Sequence, residues 1–206
     1  SRPDLLPLDS IQGTLDMNQP NIIMMLMDNL GYGDLGCYGS RQHRTPCVDQ
    51  LAREGMRFSS FYSSSGVCTP SRASLMTGCY PRRLNMHIGG RGNAVLMPVD
   101  PKGLHPGEIT LARLLRDHGY ATACIGKWHL GDQDPFLPTR HGFDHFFGCP
   151  YSEDMVPCEQ HPDRPPLPIM RDEEVIEAPA DRDTLTRRYT EESVRFIREN
   201  SDRPFF

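Results

Sequence analysis

The run Asn21-Ile22-Ile23-Met24-Met25-Leu26-Met27-Asp28 constrains the fold most, because it is apolar without alternation and closes on a carboxylate. A strand of that pattern has to be covered on both faces, as in a parallel sheet with helices packed on either side. Ligands of such sheets bind beyond the carboxyl ends of the strands, so Asp28 falls where chemistry is done. The chain then alternates. Thr45-Pro46 through Gly55 reads as a short amphipathic helix, Met56 to Tyr62 as a short strand, Thr110 to His118 as a helix stopped by Gly119, and Ala121 to Ile125 as a strand. Gly142 to Gly148 suits another strand, and Asp183 to Asn200 carries Leu185, Tyr189, Val194 and Ile197 at helical spacing. Together these predict an α/β fold with a largely parallel sheet sandwiched by helices.

Other stretches read as connections. Leu30 to Gly39 is too rich in glycine for regular structure, residues 85 to 107 suit a long surface excursion, and Pro157 to Pro168 is a proline-rich link. Residues 1–19, polar and without a clear period, read as a leader or linker arm, leaving 20–206 as the folded part. The chain opens without an initiator Met and closes on Arg203-Pro204-Phe205-Phe206, which resembles the approach to a further core strand; the expectation is a fragment truncated at its C-terminus.

The net charge of -5 leaves no basic footprint for nucleic acid. The longest apolar block, Ile22 to Met27, is far short of the roughly 20 residues of a membrane span. Seven cysteines, at 37, 47, 68, 79, 124, 149 and 158, form no Cys-x-x-Cys pair, which argues against zinc.

Gly66-Val67-Cys68-Thr69-Pro70-Ser71-Arg72-Ala73-Ser74-Leu75-Met76-Thr77-Gly78 carries the chemistry. Thr69 suits an N-cap, Pro70 the first helical position and Gly78 a left-handed stop, so Cys68 is expected just outside a helix N-terminus. Unpaired N–H groups there favour an anion, and Arg72, one turn in, adds a guanidinium fork shaped for tetrahedral oxyanions. Three readings of Cys68 follow: an inert buried thiol, a thiolate nucleophile, or a substrate for modification. Against the second, cysteine phosphatases carry Arg six positions after the Cys, where this chain has Ser74.

The third reading is where a family resemblance enters. Cys68-Thr69-Pro70-Ser71-Arg72 resembles the Cys-x-Pro-Ser-Arg motif of type I, formylglycine-dependent sulfatases. Gly119-Tyr120-Ala121-Thr122-Ala123-Cys124-Ile125-Gly126-Lys127-Trp128-His129 resembles that family's second signature, and Asn21 to Gly39 its metal-binding first strand and loop. The pattern is most similar to the arylsulfatase A and N-acetylgalactosamine-6-sulfatase branch, from about Pro20 to the last residue.

The resemblance implies an alkaline-phosphatase-like fold and hydrolysis of a small-molecule or carbohydrate sulfate monoester through a formylglycine-sulfate intermediate. It implies that a formylglycine-generating maturation enzyme converts Cys68, and that calcium, with magnesium possible, is held by Asp28, Asn29 and residue 68. Arg72 would hold the modified side chain, Lys127 would neutralise a sulfate oxygen, His129 would act on the second hydroxyl of the hydrate, and Ser152 would contact sulfate. Further metal ligands, a histidine acid and another lysine belong to the family's second half, so the fragment alone would be inactive. A periplasmic, secreted or lysosomal location is likewise implied by the family.

One position departs from the pattern. The family pairs two aspartates where this chain has Asp28-Asn29; an amide oxygen still coordinates calcium, but one negative charge is gone. Two alternatives stay open: a phosphonate or phosphate monoester hydrolase of the same superfamily, and a non-catalytic sulfatase-like binding protein whose only support is Asn29. His43, His87, His105, His118, His141, His145 and His161 receive no role.

Overall fold

The computed structural model describes residues 19–206, so the expected arm lies almost wholly outside the described residues. The helices are α1 (Pro46–Glu54), α2 (Cys68–Thr77), α3 (Leu111–Asp117) and α4 (Leu185–Glu199), and the strands are β1 (Ala123–Ile125), β2 (His145–Gly148), β3 (Ile169–Arg171) and β4 (Glu174–Glu177). The sheet runs β1-β2-β3-β4. Its β1–β2 pair is parallel, with Ala123 opposite His145, and the two pairs that follow are antiparallel, so the sheet is mixed.

The end of the chain extends the sheet beyond β1. Phe206 N–H donates to the Ala121 carbonyl at 2.8 Å, and Ala123 N–H donates to the Phe206 carbonyl at 2.8 Å. On its other edge the same segment receives Ile22 N–H on the Phe205 carbonyl, also at 2.8 Å. The apolar run 21–27 therefore starts beside the sheet, but it forms no regular strand and Ile23 to Met27 are exposed. Among the described residues no backbone pairs with residues 23–27. Met56 to Tyr62, expected as a strand, is likewise irregular and exposed.

α1, α3 and α4 form where the sequence places them. Thr110 Oγ1 accepts the Arg113 N–H at 3.1 Å at the start of α3, and Gly119 leaves that helix with φ 87°. α4 lays Tyr189 edge-on against Phe147 and Phe196 against Phe205, and it buries Glu192 among cations. The Glu192 carboxylate accepts from His145 Nε2 at 2.6 Å and Arg171 Nη1 at 2.7 Å, which fastens α4 to β2 and β3.

Residues 85 to 107 are not a surface excursion. Met86, Leu96 and Leu104 are buried with Trp128, Leu130, Phe143 and Phe146 in the main core. An irregular segment can enter a core only if its own polar groups are paired. Asp100, fully buried, does this by accepting N–H groups from Gly90 at 3.1 Å, Met97 at 3.4 Å and Lys102 at 3.0 Å.

Candidate active site

Pairing between the β1 and β2 segments continues past the ends of both strands. Trp128 N–H donates to the Cys149 carbonyl and His129 N–H to the Pro150 carbonyl, each at 3.0 Å. Trp128 turns into the core, where its Nε1 donates to the Phe136 carbonyl at 2.8 Å. Lys127, its neighbour in the chain, points to the mouth of the sheet.

α2 approaches that mouth with its first turn. It begins two residues earlier than expected: Cys68 is the first helical residue and not outside the helix, Val67 is the cap position, and no side chain caps it. Thr69 is not the N-cap because its hydroxyl is engaged elsewhere, donating to the His129 carbonyl at 3.0 Å and accepting the Leu96 N–H at 3.1 Å. Pro70 still falls in the first turn, where a missing N–H costs nothing. Gly78 ends the helix in the left-handed region, φ 69°, with its N–H on the Ser74 carbonyl at 2.7 Å, as the sequence predicts.

Lys127 joins the pieces. Its Nζ stands 2.5 Å from Asp28 Oδ2, 3.0 Å from Ser152 Oγ and 3.3 Å from Cys68 Sγ. Arg72 donates through Nη1 to the Lys127 carbonyl at 2.5 Å and holds Nη2 3.6 Å from Asp28 Oδ2. Burial alone would raise the Asp28 carboxyl, but the Lys127 ammonium, with Arg72 beyond it, holds it below its ordinary value. Two cations thus face one carboxylate, leaving surplus positive charge beside Cys68.

His129 is buried rather than on the surface. Its Nε2 lies 2.9 Å from the Leu96 carbonyl, its Nδ1 has no partner among the described residues, and its backbone is left-handed with φ 61°. Burial lowers the imidazole to about 4, and the nearby Lys127 and Arg72 charges act in the same direction, so the ring is neutral at pH 7. The other thiols near the sheet are no rivals to Cys68, since burial pushes Cys124 up to about 12 and Cys149 to about 11.

A hard divalent cation would find donors of the right kind here. Among the described residues Asp28 Oδ1 has only Cys68 Sγ as a polar neighbour, at 4.0 Å, and the exposed Asn29 follows with φ 58°, a left-handed backbone that asparagine tolerates. In number they fall short of the six to eight oxygens calcium usually takes. No group of three His, Cys, Asp or Glu suited to a metal occurs among the described residues.

Asp28, Cys68, Arg72, Lys127 and Ser152 are therefore brought together, with His129 reached through Thr69. The sequence pattern did not disclose Thr69 and Leu96 as structural partners of His129, because both contacts end on backbone carbonyls and no side-chain motif marks them.

An ammonium just past the end of β1, the guanidinium and thiol carried by the first turns of α2, and the Asp28 carboxylate are gathered at one place in an α/β fold. The chain belongs to the sulfatase family, whose model matches residues 20–206. It is 46% identical to Homo sapiens arylsulfatase A over 159 residues, covering 76% of this chain and 30% of that protein. It is 40% identical to Canis lupus familiaris N-acetylgalactosamine-6-sulfatase over 200 residues, covering 91% of this chain and 38% of the relative. The crystal structure of the PsFucS1 sulfatase from Pseudoalteromonas sp. superposes with a TM-score of 0.75 at 32% identity, over 91% of this chain and 42% of that one. The fold is accordingly the alkaline-phosphatase-like α/β fold of sulfatases, and the chain spans well under half the length of these relatives. Among the described residues no helix is long and apolar enough to cross a membrane.

Proposed function

We propose that the protein is a sulfuric ester hydrolase of arylsulfatase type, cleaving a small-molecule or carbohydrate sulfate monoester through a formylglycine-sulfate on residue 68. The observation that carries this reading is Lys127 Nζ, within 3.3 Å of Cys68 Sγ and 3.0 Å of Ser152 Oγ. A sulfate group drawn to Cys68 meets an ammonium and a hydroxyl donor together, with Arg72 behind them, so charge that develops on its oxygens is met by groups already in position.

In this reading a maturation enzyme oxidises Cys68 to formylglycine, in a compartment outside the cytosol, and water adds to give a carbon bearing two hydroxyls. One hydroxyl oxygen attacks sulfur, the bond from sulfur to the ester oxygen breaks, and the alcohol leaves with a proton. His129, neutral at pH 7, takes the proton of the second hydroxyl. The aldehyde re-forms, its bond to the sulfate oxygen breaks, and sulfate departs. A serine at this position would instead keep the sulfate as a stable ester.

Asp28, the amide oxygen of Asn29 and residue 68 would hold a calcium or magnesium ion, which supplies charge that favours an ionised hydroxyl and offsets the sulfate oxygens. The remaining ligands and the acid for the alcohol belong to the family length this chain does not span, so the chain alone is expected to be inactive.

The test is the mass of the tryptic peptide carrying residue 68, from the full-length protein made in its own host, with steady-state turnover of aryl sulfate, phosphate and phosphonate esters. Formylglycine together with preferred sulfate turnover supports the reading. An unmodified thiol without turnover favours a binding relative, and faster phosphonate or phosphate hydrolysis favours that branch of the superfamily.

A further inference from the structure

Thr69 does more than fill the variable position of its motif. Its hydroxyl is fully buried and spends both of its capacities: it donates to the His129 carbonyl at 3.0 Å and accepts the Leu96 N–H at 3.1 Å. The Leu96 carbonyl faces His129 Nε2 at 2.9 Å. One side chain on the first turn of α2 therefore touches both segments that determine how the imidazole is held.

The carbonyl has a chemical consequence. A carbonyl oxygen only accepts, so the nitrogen opposite it must carry the proton. In a neutral ring that leaves the lone pair on Nδ1, the nitrogen that is buried without a partner. Leu96 is itself held from the far side, because Asp100 ties down Met97 and both ends of the surrounding loop.

We propose that Thr69 is a positioning residue: it docks the Leu96 peptide on His129 so that Nε2 bears the proton and Nδ1 is kept as the proton acceptor of the reaction. The inference rests on the hydrolase reading for what Nδ1 does, but the tautomer itself can be read without turnover. Replacing the hydroxyl by a methyl group leaves the Leu96 N–H and the His129 carbonyl buried and unpaired, and the loop has to move to satisfy them.

The experiment compares the full-length parent with Thr69→Val and Thr69→Ser. Long-range proton–nitrogen correlation spectra of histidine-labelled protein, assigned with His129→Gln, report the tautomer, and kcat on an aryl sulfate is scaled to the measured formylglycine content. The expected parent has Nε2–H and a bare Nδ1. Thr69→Val is expected to mix the tautomers and lower kcat by about tenfold with KM changed less than about twofold, the size of one lost net hydrogen bond. Thr69→Ser, which keeps the hydroxyl, should restore both.

A parent with the proton on Nδ1 overturns the inference, as does Thr69→Val with the parental spectrum and kcat. If no sulfate ester is turned over but the tautomer is Nε2–H and shifts in Thr69→Val only, the hydrolase reading fails and the positioning role stands.

Discussion

His129 and His141 are the two fully enclosed imidazoles of the described chain, and burial brings each down to about 4 from an ordinary 6.5. Between those limits the unfolded chain binds protons that the folded chain refuses. Their contribution to stability is therefore complete above about pH 6.5 and is lost as pH falls towards about 4, at about 1.4 kcal/mol per pH unit for each ring. The urea midpoint of the full-length protein is expected to fall on acidification from pH 7 to 5. His141→Gln, which removes one of the two rings, should take away about half of that fall. Of the side chains that meet around Lys127, Asp28, Cys68 and Arg72 stand in stretches of recognisable pattern, whereas Ser152 was pointed to by the family resemblance alone. The burial of His129 was not legible: it depends on Leu96, which lies in a loop whose sequence carries no period.

At the scale of elements, the join between β1 and β2 rests on Gly148. A Cβ there would overlap the Gly126 carbonyl, which accepts the Cys149 N–H at 3.2 Å, while Gly126 N–H donates to the Phe147 carbonyl at 2.9 Å. Gly148→Ala is expected to cost about 3 kcal/mol or more, because the overlap is with backbone that cannot turn aside. Gly33→Ala, where a Cβ meets nothing within 4 Å, should stay within about 0.5 kcal/mol; thermal unfolding of the two variants makes the comparison. All four helices and the strands β1 and β2 were legible from periodicity and stop residues, although α2 starts two residues before its expected cap. The β3–β4 hairpin escaped, because Glu174 to Ile176 are exposed and no glycine marks the turn; Asp172 takes the left-handed position instead, with φ 55°. The run 21–27 erred in the other direction. Its composition states what such a strand needs on both sides, whereas a strand forms only by pairing, and among the described residues only Ile22 of the run is paired.

Across the whole molecule the exposed apolar residues are grouped by sequence: Ile23 and Met25 at 62% exposure, Met56 and Tyr62 at 81%, and Phe61 at 67%. Exposed apolar area of that kind is a site for association. The isolated 206-residue chain is expected to bind a dye specific for apolar surface and to self-associate in sedimentation, and the full-length protein to do neither; a monomeric, dye-silent chain would show these residues to be covered in some other way. The last residues of the chain carry a consequence for time rather than for strength. Phe205 and Phe206 are the stitch between residues 21–22 and residues 121–123, and those two segments lead directly into Asp28 and Lys127. The first contact spans a sequence separation of 184 residues. A chain emerging from the ribosome holds both charged groups long before it holds the segment that sets them side by side, so Asp28 and Lys127 wait through the synthesis of about 80 further residues after Lys127 before the pairing that aligns them can form.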